Sequence, residues 1–250
     1  MSEHPRADIE EEANRLLAAA HDRGLHLRLI GGLAVRLHAE KGLPPRLQRD
    51  PKDLDFVTLK GKSVAAEELM KSMGYSPNAE FNQLNGHRRL LFYDPPNGRQ
   101  VDIFVGVFEM AHIVPITDRI EVERATIPLA ELLLTKLQVM HLNEKDQRDI
   151  IAILYDHPVG NSDENAINAG FVAKVLAVDW GFWRTTKLNL ERTMEALPGY
   201  GLEPEQQELV NRRLADLWNR IEAEPKSTRW KLRSRIGDRV RWYEDPEEVG

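Results

Sequence analysis

The chain has no cysteine in 250 residues. Disulfides and thiolate metal ligands are excluded, and the absence fits a reducing compartment, so a cytoplasmic location is expected. It has no excess of positive charge: 34 Lys and Arg face 40 Asp and Glu, a net charge of −6. No overall basic field therefore advertises nucleic acid, although a local basic patch is compatible with that balance. No stretch approaches the roughly 20 apolar residues of a membrane helix, and no membrane partner is expected. The opening, MSEHPRADIEEEANRLL, is acidic and lacks the apolar core of a secretory leader. There is no internal repeat, no low-complexity tract, no P-loop, no zinc signature and no G-x-S-x-G. The eight histidines show no close ligand spacing, so each is read as a packing or surface residue.

What is present is the patterning of a globular chain large enough for a core and an accessory domain. Ile9, Ala13, Leu16, Leu17 and Ala20 recur at helical spacing. LHLRLI reads as a strand ending at Gly31-Gly32, LAVRLHAEKG as a helix stopped by Gly42, and LPPRLQRDPK as loop. DLDFVTL reads as a strand and SVAAEELMKSMGY as a helix. HRRLLFYDPPNGRQVDIFVG reads as a hairpin turning at DPPNG, and RIEVERATI as a further strand. From Leu129 onward the pattern is helical. Strands early and helices late predict an α+β arrangement. It comprises a mixed-sheet core with flanking helices, followed by a helical C-terminal region. All five tryptophans lie beyond residue 160 and DHPVGNSDEN resembles a linker. The expected domains are therefore 1–160 and 161–250.

Two acids, Asp53 and Asp55, interrupt the DLDFVTL strand. Side chains alternate across a strand, so both project from one face while Leu54 and Phe56 enter the other. Adjacent carboxylates repel, and a hard dication such as Mg²⁺ relieves that by taking a few carboxylates and sharing its other positions with water and phosphate. Asp102, in RQVDIFVG, faces opposite to Val101 and Ile103. If its strand lies beside DLDFV, all three acids converge. A lone D-x-D is also a common solvated pair, and Asp102 alone also fits a surface position. The combination with LRLIGGLAV decides between them. There a strand runs through Gly31-Gly32 into a helix, and a helix N-terminus offers free N–H groups and partial positive charge to phosphate.

A strand–GG–helix, then acid–hydrophobic–acid on a strand, then a third acid on a later strand resembles the nucleotidyltransferase superfamily of the DNA polymerase β type. The closer similarity is to its AbiEii-like and aminoglycoside-nucleotidyltransferase-like branches. These continue with a lysine-bearing helix, matched by LAELLLTKLQVM with Lys136. A helix with paired acids follows, matched by NEKDQRDIIAIL with Asp146 and Asp149. The resemblance spans residues 25 to 156. It departs at Leu33 and Ala34, where many members carry a serine hydroxyl. It departs again in the long stretch between Gly32 and Asp53.

The resemblance implies a nucleotidyltransferase that moves a nucleoside monophosphate from an NTP to an acceptor and releases pyrophosphate. Asp53, Asp55 and Asp102 would hold Mg²⁺ or Mn²⁺, and Asp102 would also help remove the acceptor proton. Gly31 and Gly32 would cradle the phosphates and Lys136 would neutralise their charge. Asp146 and Asp149 are accessory: they either position Lys136 or an acceptor amine, or pair with Lys145 or Arg148. On its own, Lys136 also fits a solvated helix face. The acceptor is tRNA or a protein in a toxin-like setting with an antitoxin partner, or a small hydroxylated molecule as in antibiotic modification. The competing class is a nucleotide- or partner-binding relative without catalysis. Finally, KSTRWKLRSRIGDRVRW, residues 226 to 242, holds seven Lys or Arg, one Asp, and Trp230 and Trp242. It reads either as an RNA grip or, as favoured here, as a terminal helix with its tryptophans buried on the core.

Overall fold

In a computed structural model, residues 4–39 and 42–245 are described. Residues 1–3 of the acidic opening, residues 40 and 41 of the helix expected to stop at Gly42, and the last five residues lie outside that set. Packing divides the chain into two compact units. The first contains residues 1–36, 49–108 and 115–128. The second contains residues 37–48, 109–114 and 129–250. This grouping differs from a boundary near 160, because the helices before that point pack with those after it.

The first unit begins with α1 (Ile9–Asp22). Asp8 caps it by accepting the Glu11 N–H at 2.9 Å, and Glu10, Glu11 and Glu12 occupy its positively polarised first turn. There follow β1 (Leu27–Ile30), α2 (Gly31–His38), β2 (Leu54–Thr58), α3 (Ser63–Ser72), β3 (Ser76–Pro77), α4 (Ala79–Asn85), β4 (Arg89–Asp94) and β5 (Arg99–Val105). The five strands make one mixed sheet in the order β1-β2-β5-β4-β3. Only β2 and β5 run parallel; every other neighbouring pair is antiparallel. Leu54, Phe56, Val101, Ile103, Leu90 and Phe92 share one face by alternation and are all buried. The apolar sides of α1 and α3, with Leu16, Leu69 and Met70, are buried as well. The α+β class and the mixed sheet are thus as the pattern predicts. The hairpin turns through Pro95–Asn97, and Gly98 supplies a left-handed φ of 61°.

Two differences stand out in this unit. β3 and α4 had no reading in the sequence; α4 is capped by Asn78, which accepts the Phe81 N–H at 3.1 Å. The strand expected at 119–127 is reduced to one parallel bridge between Leu29 and Thr126. A strand needs one buried face. Here Glu121, Val122, Arg124 and Ala125 are exposed, and only Ile120, Thr126 and Ile127 are buried, which leaves no alternating buried face.

The second unit is helical: α5 (Leu129–Leu137), α6 (Glu144–Asp156), α7 (Ala169–Val178), α8 (Trp180–Ala196), α9 (Pro204–Ala223) and α10 (Thr228–Ile236). Every residue of α5 is buried, and α6, α7 and α8 pack on it. Its last carbonyls lack intrahelical partners, and α8 satisfies them: Asn189 Nδ2 donates to Leu137 O at 3.0 Å and to Val139 O. Arg213 of α9 donates to Leu154 O and Tyr155 O of α6 at 2.8 and 2.7 Å, which ties the two helices together. DHPVGNSDEN contains more structure than a linker. Asp156 and His157 are buried, and Val159–Gly160 pairs in parallel with Ile167–Asn168. His112 is a packing residue, stacked on Phe182, and burial pushes its pKa down to about 4. No helix among the described residues is long and apolar enough to cross a membrane.

One buried ion pair anchors α1. Arg15 donates twice to Glu12, at 2.8 and 2.7 Å, and also to Met73 O; Tyr75 and the Arg6 N–H donate to the same carboxylate. Burial alone would raise the Glu12 pKa, but these donors outweigh it and the pKa is lowered. The pair's contribution is therefore complete above the ordinary glutamate pKa and is lost as pH falls through the lowered one. Glu12→Ala strands a buried guanidinium and is expected to cost about 3–5 kcal/mol in urea unfolding at neutral pH. The gap to wild type should narrow in acid.

Candidate functional site

The candidate acids gather around the β2–β5 pairing. Asp55 lies opposite Asp102 in the parallel register, and Leu91 of β4 lies opposite Asp102 on its other side. The two carboxylates therefore leave the sheet on the same face. Asp53 stands just ahead of β2, exposed, and its Oδ1 accepts the Gln100 N–H at 3.4 Å. Gly31 opens α2 directly after β1 with a φ of +72°, which an L side chain rarely adopts. A Cβ on Gly31 would stand 2.2 Å from Asp55 Oδ2. The strand-to-helix turn is thus pressed against the carboxylate, and glycine is required twice over, by φ and by contact. Beside it, the Arg49 guanidinium lies over Gly32, where a Cβ would come within 2.4 Å of Nη2. The first helical turn thus brings its N–H groups beside the Arg49 guanidinium, donor chemistry of the kind that suits an anion.

The expected convergence of three acids on one metal is realised in register but not in grouping. Among the described residues no cluster of three or more His, Asp or Glu is arranged to hold a metal ion. Asp102 is 3% exposed and has both oxygens engaged. Arg89 Nε donates to Oδ1 at 2.7 Å and Gln100 Nε2 donates to Oδ2 at 2.8 Å. The Arg89 guanidinium is itself held over the Phe104 and Phe81 rings at 5.1 and 5.8 Å. As a donor set, Asp53 and Asp55 fit a hard dication that keeps other positions for water and phosphate. Both oxygens of Asp102 are instead spent on Arg89 and Gln100.

Arg49 and Arg89 were missed in the sequence. Arg49 had a signal, since it sits in the basic loop just before DLDF. Arg89 had none, because its meeting with Asp102 depends on how the two hairpin strands pair.

The second unit places Lys136 with Asp146 and Asp149. Its ammonium is 2.8 Å from Asp149 and 3.1 Å from Asp146. The solvated-face reading of Lys136 does not hold, because α5 has no exposed face. The acids pair with Lys136 rather than with Lys145 or Arg148; Arg148 reaches Glu144 instead. Burial works against the lysine's charge, but Asp149 and then Asp146 outweigh it, and the pKa is raised. The basic segment also departs from its favoured reading. α10 has no buried residue, and Trp230 and Trp242 are only half-buried. The helix distributes its basic and apolar residues around all sides, so no single face can be buried on a core.

No family model matches the chain, and none of the curated proteins matches it. Among solved structures, it is similar to an antigenic nucleotidyltransferase-like protein from Paracoccidioides brasiliensis. The identity is 15%, the TM-score is 0.41, and the alignment covers 91% of this chain and 98% of that one. A likeness this distant fixes neither family nor substrate.

Two substitutions test the geometry. Gly31→Ala should cost more stability than Gly32→Ala in denaturant titrations. The first forces a left-handed alanine, about 1–2 kcal/mol, against the fixed Asp55 carboxylate, whereas the second meets only the tip of a flexible arginine. Lys136→Met leaves two carboxylates around an apolar side chain and should cost about 3–5 kcal/mol. Because the Lys136 pKa is raised, its contribution is complete below the ordinary lysine value. The difference between wild type and Lys136→Met should shrink as pH rises through the raised pKa.

Proposed function

We propose that the chain is a nucleotidyltransferase. It would move a nucleoside monophosphate from a nucleoside triphosphate to an acceptor by the chemistry of the DNA polymerase β type superfamily. The observation that supports this reading is the contact of Asp55 with the Gly31 turn, on the same face as Asp102. It puts a carboxylate that can take a cation directly beside a helix N-terminus that can take phosphate.

In this reading the acceptor oxygen attacks the α-phosphorus, the bond from that phosphorus to the bridging oxygen breaks, and pyrophosphate leaves with the electron pair. The N–H groups at Gly31 and Gly32, with Arg49, hold the β- and γ-phosphates and balance charge as pyrophosphate forms. Asp53 and Asp55 would hold Mg²⁺ or Mn²⁺, which when bound supplies positive charge to the phosphate oxygens. Asp102, once released by Arg89, takes the proton of the acceptor. Lys136 has its charge balanced by Asp146 and Asp149, so its role here is to fasten α5 to α6. A second reading, a nucleotide-binding protein without transfer, draws on the engagement of both Asp102 oxygens by Arg89 and Gln100.

The test is transfer of label from each α-labelled NTP, with Mg²⁺ or Mn²⁺. Separate arms contain total tRNA, protein and small hydroxylated molecules. Wild type should label one arm, and Asp55→Asn, folded by circular dichroism, should fall to background. The arm that takes label decides between a toxin-like acceptor and an antibiotic-like one. Binding without label in any arm supports the second reading, and transfer by Asp55→Asn at the wild-type rate contradicts both.

A further inference from the structure

The second unit holds a cleft of about 660 Å³ that the reading above does not use. That is an ordinary volume for a small-molecule site. It lies where α10 and the chain after it cross the α7–α8 junction. Ser227 ties the start of α10 down: its N–H donates to Ala177 O at 2.9 Å, and its hydroxyl accepts the Trp230 N–H at 3.1 Å. Arg184 holds the returning chain through Asp238 at 2.9 and 3.1 Å. The walls between these ties carry Trp180, Trp230 and Trp242 together with Arg229, Arg233 and Arg241.

The arginines differ in what they have free. Arg233 donates to Gly237 O and Val240 O at 2.8 and 2.6 Å, and its guanidinium stacks 4.6 Å from the Trp180 ring. It is a fixed cationic plane. Arg241 pairs with Asp245 and stacks 4.6 Å from the Tyr243 ring. Arg229 is exposed and has no ion-pair partner among the described residues. Two acids also line the cleft, Asp179 and Glu244; the Asp179 carboxylate is occupied by the Phe182 N–H at the start of α8, at 3.0 Å. Arg233 likewise has no ion-pair partner among the described residues, and it covers the buried Trp180 ring. The cleft therefore presents the half-buried Trp230 and Trp242 rings and the Arg233 plane, with Arg229 as the cation at its edge.

The geometry points to a second nucleotide site in this cleft, with a base stacked on the tryptophan and arginine planes and its phosphate on Arg229. Nucleobases stack on aromatic rings and on guanidinium planes alike, and stacking tolerates any base. An acidic peptide is the poorer fit, because Arg233 spends its donors on backbone carbonyls, Arg241 is paired with Asp245, and the cleft carries acids of its own in Asp179 and Glu244. The same chemistry arrives as a free mononucleotide or as the unpaired nucleotide of an RNA. The site is independent of Asp53, Asp55 and the proposed transfer reaction.

The experiment uses the full chain in EDTA, with a fluorescein-labelled oligoadenylate decamer read by anisotropy and AMP as competitor. Wild type should bind the decamer, AMP should displace it, and Asp55→Asn should bind as wild type does, which separates this cleft from the proposed active site. Arg229→Glu changes an exposed side chain and should fold normally. It should weaken the decamer by about tenfold and flatten the salt dependence, since one phosphate contact is lost. If AMP alone binds as tightly as the decamer, the source is the free nucleotide; if the decamer binds tighter, it is RNA. The proposal is overturned if neither probe binds at millimolar concentration, if Arg229→Glu binds the decamer like wild type, or if polyglutamate competes as well as AMP.

Discussion

The parallel pairing of β2 with β5 is the constraint on which the candidate site depends. It is the one parallel pair among the five strands of the sheet, and it sets Asp55 opposite Asp102. A shift of one residue in either strand would send one carboxylate into the apolar layer of Phe56 and Ile103. The buried face forbids that slip, so the core itself holds the acids in register. The Gly31 turn then closes on Asp55 from β1, the neighbour on the other side. Strand order, register and a glycine of positive φ thus bring the Asp55 carboxylate and the N-terminal turn of α2 together.

Charge is the second organising feature. Two like charges about 4 Å apart near a protein surface repel by about 4 kcal/mol, so a sheet face with several acids needs cations. Arg89 and Gln100 supply hydrogen bonds to Asp102, and Gln100 also reaches Asp53 through its backbone. The second unit settles Asp146 and Asp149 differently, around the ammonium of Lys136. The first arrangement keeps an opening to solvent, with the Arg89 side chain 20% exposed. The second is enclosed by a helix buried on every side. That contrast is why Asp102 is given chemistry in the proposal while Asp146 and Asp149 are given architecture.

Much of this was legible in the residues. Alternation in DLDF and QVDIFV assigned the faces of Asp53, Asp55 and Asp102, because period-two burial is a local property. DPPNG marked the hairpin turn, since the turn residues are contiguous. What escaped was non-local. Arg89 meets Asp102 only through the antiparallel offset of β4 on β5, which the turn length does not display by itself. Lys136 reads as a surface lysine because LAELLLTKL carries Glu131, Thr135 and Lys136; that they are buried follows from three helices packing around α5. RIEVERATI alternates like a strand, yet after the buried Ile120 its apolar side is left exposed at Val122 and is not covered again until Thr126. α10 misled for the opposite reason: Trp230 within it and Trp242 after it implied a buried face, but the helix has no buried residue.

The most direct measurement is calorimetric titration of ATP into the full chain, once with Mg²⁺ and once with EDTA. An acidic sheet face beside the Gly31 turn should accept a triphosphate only when a dication offsets the carboxylates. The account predicts binding with Mg²⁺ and its loss in EDTA. Equal affinity under both conditions would contradict it, because Asp53 and Asp55 would then take no part in seating the nucleotide.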